Sequence, residues 1–109
     1  MIKQFYQGDV PILKGIKAPE GLEFKPLSEK GLIVMEGEMS GHHHRVQVKD
    51  RANLKDISFA QDENGYYLKV GSEAILTHPE HDTITLPQGI YFFGSQWEYN
   101  EIEDRKVID

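Results

Sequence analysis

The sequence predicts an all-β protein: a single small β-barrel or β-sandwich of about eight short, mainly antiparallel strands over residues 1–109. Three observations carry that expectation. Ten Gly and five Pro punctuate the 109 residues every few positions. The runs between them are short and rich in β-branched and aromatic residues. No stretch repeats its apolar residues at the spacing of an amphipathic helix. Many short strands broken by frequent turns are the pattern of a sandwich or barrel.

Taken in order, "KQFY" is a first strand, and Gly8-Asp9 turns the chain, with Asp9 capping the turn through its own side chain. "DVPILKGI" follows as a second strand. "APEGLEFKPLSEKG", residues 18–31, is a long connection holding at most one irregular strand. "GLIVMEGEM" and "HHRVQV" come next. In "ISFAQDENGYYLKV", Asn64-Gly65 is expected to supply the two positive φ angles of a type I′ hairpin turn. "YYLKVG", "AILT" and "TITL" are further strands, and Pro87-Gln88-Gly89 is expected to turn the chain before "IYFFGSQWEY". The tail "NEIEDRKVID" suits a helical turn and an edge strand equally.

Composition sets bounds on function. At 39% hydrophobic and 28% charged the chain is ordinary for a globular domain and too apolar for a disordered one. No apolar run approaches the roughly 20 residues of a membrane span. The N-terminus does not have the form of a signal peptide, so a cytoplasmic address is expected. There is no Cys, so any metal must be held by His, carboxylate or water. Residues 1–60 carry nine Lys/Arg against eight Asp/Glu, and residues 61–109 three against ten. A nucleic-acid binder needs a basic stripe, so this balance argues against one.

All five histidines fall in two short stretches, "GHHHRV" and "LTHPEH". In a strand, side chains alternate faces, so His42 and His44 share one face with Cα atoms roughly 6.5–7 Å apart, and His43 takes the other. Pro79 breaks the second strand after His78, so a turn there brings His78 near His81. His42, His44, His78 and His81 are therefore candidate ligands for one divalent metal ion (Zn, Ni, Fe or Mn), with Glu80 or Asp82 as spare oxygen donors. A hydrogen-bonded polar cluster and surface histidines without a role are the competing readings.

Two resemblances add to this. "QGDVPIL", "GEMSGHHHRV", "LTHPEHDTITLPQGIY", "QWEY" and "RKVID" occur in that order, almost end to end. The pattern resembles a family of small uncharacterised bacterial and phage proteins with Q-G-D-V, G-E-x-[ST]-G-H-x-H, L-T-H-x-E-H, L-P-x-G-x-Y and Q-x-E-Y motifs. That resemblance implies a phage or prophage setting, without an activity. It also implies that His42, His44, His78 and His81 matter more than His43, which occupies the variable position. His42-x-His44 and "DTITLPQGIYF" are similar to the two motifs of cupins, in architecture only. Val48 and Lys49 stand where a cupin Glu is expected, and Phe92 replaces the second-motif His, so a standard cupin metal site is absent.

Other chemistry is thin. "GEMSG" lacks the Lys and helix of a phosphate-cradling loop, and nothing places Ser40 or Ser95 beside a His as a triad requires. Tyr91, Phe92, Phe93, Trp97 and Tyr99 occupy both faces of one strand. Both faces must then be covered, by core or by self-association as a homo-oligomer. Two classes of function remain. One is a metal- or small-ligand-binding β domain. The other is a structural or interaction module, with a protein partner or a second copy, whose histidines form a polar cluster.

Overall fold

The computed structural model describes residues 2–8, 10–36 and 43–94. The strands are β1 (Lys3–Gln7), β2 (Val10–Lys14), β3 (Lys25–Pro26), β4 (Leu32–Glu36), β5 (His43–Val48), β6 (Ile57–Asp62), β7 (Gly65–Thr77) and β8 (Ile84–Phe93). A short 3-10 helix, Arg51–Asp56, joins β5 to β6, with the Asp50 carboxylate accepting from the Ala52 N–H at 3.0 Å. The eight strands form one antiparallel sheet curled into a half-barrel. Their order is β1-β2-β8-β7-β5-β4, with β6 pairing β7 and the two-residue β3 pairing β6. The all-β expectation holds. Among the described residues no helix is long and apolar enough to cross a membrane.

β7 organises the sheet. Over 13 residues its N-terminal half pairs β6 and its C-terminal half pairs β5, while β8 follows the opposite edge through both halves. Between the Val70↔Gly89 and Glu73↔Pro87 pairs, β7 spends two residues where β8 spends one. Such a bulge increases local twist and bends the strand, and here it lets one long strand serve two neighbours in succession.

Two sequence expectations change at this point. "YYLKVG" and "AILT" are one strand, and so are "TITL" and "IYFF": Pro87-Gln88-Gly89 is not a turn but the middle of β8. The exposed Pro87 sits beside the bulge, where the ladder is already interrupted and a missing N–H is tolerated. The β6–β7 hairpin is present, but Asn64-Gly65 does not make a type I′ turn. β6 and β7 close at Asp62↔Gly65, leaving Glu63 and Asn64 as the loop, and no described non-glycine residue has a positive φ. Asp62 Oδ1 instead accepts from the N–H groups of Asn64 (2.8 Å) and Gly65 (3.3 Å). This local side-chain bond supplies the turn.

Alternation along the strands sorts the apolar residues into two clusters. Ile12, Val46, Leu68, Leu76, Tyr91 and Phe93 belong to the main core inside the curl. Phe92 points the other way and packs with Leu13, Ile16 and Tyr67, covered by Ile2, Leu22 and Phe24. The long connection after β2 therefore roofs the outer face of β8. Over Ile90–Phe93 both faces of the strand are covered within the chain. Trp97, Tyr99 and the tail lie outside the described residues.

Candidate functional site

The site begins with a buried amide at the end of β1. Phe5 and Gln7 share a face of that strand, so where Phe5 packs on the main core Gln7 also turns inward, leaving it 2% exposed. Its side-chain nitrogen donates to the carbonyl oxygens of Leu76 and Asp82, each at 2.9 Å. With the nitrogen committed to two acceptors, the amide oxygen faces His44 Nδ1 at 2.8 Å. Oxygen cannot donate, so Nδ1 must carry the proton. Neutral His44 therefore has its lone pair on Nε2.

β5 places His44 on the inner face, two residues from the fully buried Val46, and His44 is 5% exposed. His78 and His81 come from the turn between β7 and β8. The His44 and His78 ring centroids are 4.3 Å apart, those of His78 and His81 are 4.6 Å apart, and those of His44 and His81 are 6.1 Å apart. Exposure rises along the series: His44 is buried, His78 half-buried and His81 exposed. Gly8 makes room for the last ring. It adopts the left-handed conformation at φ 59°, and a Cβ there would run into His81 Nε2. Gln7 and Gly8, both in the "QGDV" motif, thus hold the first and last members of the cluster.

The structure brings His44, His78 and His81 together; His42 lies outside the described residues. His43 is on the opposite face of β5, as strand alternation requires. There it lines an open groove of about 340 Å³ with Arg45, Thr77, His78 and Pro79. His78, at the rim, borders both faces. Its Nδ1 accepts from the Glu80 N–H at 3.0 Å, so the neutral ring is protonated on Nε2. His44 and His78 thus hold opposite tautomers, one presenting a lone pair at Nε2 and the other an N–H. Among the described residues no group of three or more His, Cys, Asp or Glu is arranged to hold a metal ion. In the described arrangement the turn bond to Glu80 occupies His78 Nδ1, and the His44 and His81 rings lie within 17° of parallel.

Sequence reasoning missed Gln7. Its position in "QGDV", one residue beyond an alternating strand, was the available signal, but a neutral amide carries no charge or ligand chemistry to mark it.

The fold and the cluster define a class: an all-β half-barrel with a cluster of three imidazoles beside its first hairpin. The chain belongs to the family described as Domain of unknown function (DUF8820), whose pattern matches residues 6–96. That span contains both histidine stretches and the Gln7 amide. No curated protein and no solved structure matches the chain.

Proposed function

We propose that this domain binds a divalent transition-metal ion at His44, His78 and His81, with His42 as a fourth donor. One observation carries the reading. The buried Gln7 fixes His44 with its proton on Nδ1 and its lone pair on Nε2, beside two further imidazoles. A ligating histidine usually has its other nitrogen held by such an outer acceptor, which sets tautomer and ring orientation. Loading requires His78 to give up the Glu80 N–H, an exposed turn bond worth about 1 kcal/mol. The site supplies only neutral donors among its described histidines, which suits zinc or nickel better than magnesium or calcium. The phage or prophage setting rests on the motif resemblance alone.

The test is thermal unfolding of untagged protein with and without excess Zn²⁺ or Ni²⁺. Protons compete with metal for imidazole nitrogens, so metal should raise the melting temperature at about pH 7.5 and do little at about pH 5. His44→Ala and His81→Ala should each abolish the gain, and His43→Ala should keep most of it. An equal metal response in all three variants would overturn the site.

Two observations favour a second reading, an interaction module with a polar histidine cluster. His44 and His78 already hold complementary tautomers, which suits a hydrogen-bonded cluster. The edge strands β1 and β4 each have one neighbour among the described pairings, and open edges invite a further strand. On that reading metal changes nothing, the alanine variants lower the melting temperature by themselves, and light scattering at micromolar concentration finds a dimer or larger species.

A further inference from the structure

We infer that the groove on the outer face of β5 and β7 is a binding site for a small organic oxyanion, a carboxylate or a phosphate monoester. The inference concerns the opposite face of β5 from the imidazole cluster and does not depend on the metal reading. Its centre is Arg45. The Arg45↔Thr77 register sets the two residues side by side, and His43 lies two residues earlier on the same face. His43, Arg45, Thr77, His78 and Pro79 line the groove.

Two other cations of this part of the sheet are paired with carboxylates. Lys49 pairs with Glu73 at 2.9 Å and Arg51 with Glu29 at 2.7 Å. Arg45 instead donates Nη1 to the Lys30 carbonyl oxygen at 2.7 Å, a neutral acceptor that orients the guanidinium without cancelling its charge. A guanidinium has five N–H donors in a rigid fork that matches two oxygens of a carboxylate or phosphate. One donor is used as an anchor, and no ion pair to Arg45 is present among the described side chains. Beside it, His43 Nδ1 is buried with no hydrogen-bond partner among the described residues. The groove, about 340 Å³ and open to solvent, has room beside Arg45 for a ligand larger than a bare ion, with Pro79 as its apolar wall.

Chelator-treated, isotope-labelled protein titrated with inorganic phosphate and, separately, with acetate tests this by NMR, with chloride keeping ionic strength constant. The expected result is saturable shifts centred on His43, Arg45 and Thr77 with at least one of the anions, and the stronger anion names the ligand class. Arg45→Gln should weaken binding by about tenfold or more, because the paired donor fork is lost. Thr77→Val should weaken it less, and Arg51→Gln should leave it unchanged. His81→Ala, which removes the proposed metal site, should also leave it unchanged, so the two readings fail separately. No saturable shift with either anion, or equal weakening by Arg45→Gln and Arg51→Gln, would overturn the inference.

Discussion

At the scale of single residues, the site turns on an uncharged amide. Gln7 satisfies three polar groups at once, two backbone carbonyls and one imidazole N–H. Replacing it with Leu keeps most of the volume and strands all three. Each buried polar group left without a partner costs about 1–3 kcal/mol, so Gln7→Leu should destabilise the fold by about 2–4 kcal/mol after local relaxation. Denaturant unfolding measures this directly. The same substitution should release the tautomer of His44, visible as a redistribution of its two ring-nitrogen resonances. A fall in stability with the His44 tautomer unchanged would show that the amide serves the two carbonyls and does not set the imidazole.

Two tyrosines give a second residue-scale prediction. Burial pushes the Tyr91 phenol up to about 12 from its ordinary value of 10.0. Tyr67 is also pushed up to about 12, first by burial and then by the charge of Asp62, to which its hydroxyl donates. Both phenols stay neutral in the fold at a pH where the unfolded chain would ionise them. The stability they contribute is therefore complete below about pH 10 and is lost as pH rises from 10 toward 12. Ultraviolet titration of tyrosinate should show two residues ionising only as the fold melts in that window.

At the scale of elements, the β6–β7 hairpin and the bulge explain what could be read from the sequence. The hairpin was legible because Asp62–Gly65 lies between two alternating runs. Its turn type was not, because Asp62 can bond the following N–H groups and so remove any need for Asn64 to go left-handed. Asp62→Asn tests this assignment. It should cost about 1 kcal/mol by weakening the turn bonds, and it should lower the Tyr67 phenol by removing the neighbouring charge. Pro87-Gln88-Gly89 misled for a related reason. Turn residues also serve in bulges, and only the pairing with β7 distinguishes the two uses.

At the scale of the whole molecule, antiparallel β architecture followed from composition and punctuation, but the curl did not. Nothing local in "GYYLKVGSEAILT" states that one strand will serve β6 with its first half and β5 with its second. The candidate site divides in the same way. His44, His78 and His81 were legible as chemistry, because imidazole spacing is visible in one dimension. The amide that orders them was not, because its partners are 37, 69 and 75 residues distant. Deleting β1 should therefore remove the proposed metal-induced rise in melting temperature even if the remaining chain keeps sheet structure. Circular dichroism with and without metal reads both outcomes.

Those separations also bear on how the chain reaches its final form. Residues 7 and 82 can meet only after most of the polypeptide has closed into a loop, and long closures are late, entropically costly events in folding. A partly folded chain in which β1 has not yet met the turn between β7 and β8 therefore lacks the Gln7 brace on His44. For a contact that forms after the folding barrier, a ligand held there should slow unfolding and leave the folding rate almost unchanged, which stopped-flow refolding with and without metal measures. The contact between the first strand and the turn after β7 is then also the clasp that holds the two together.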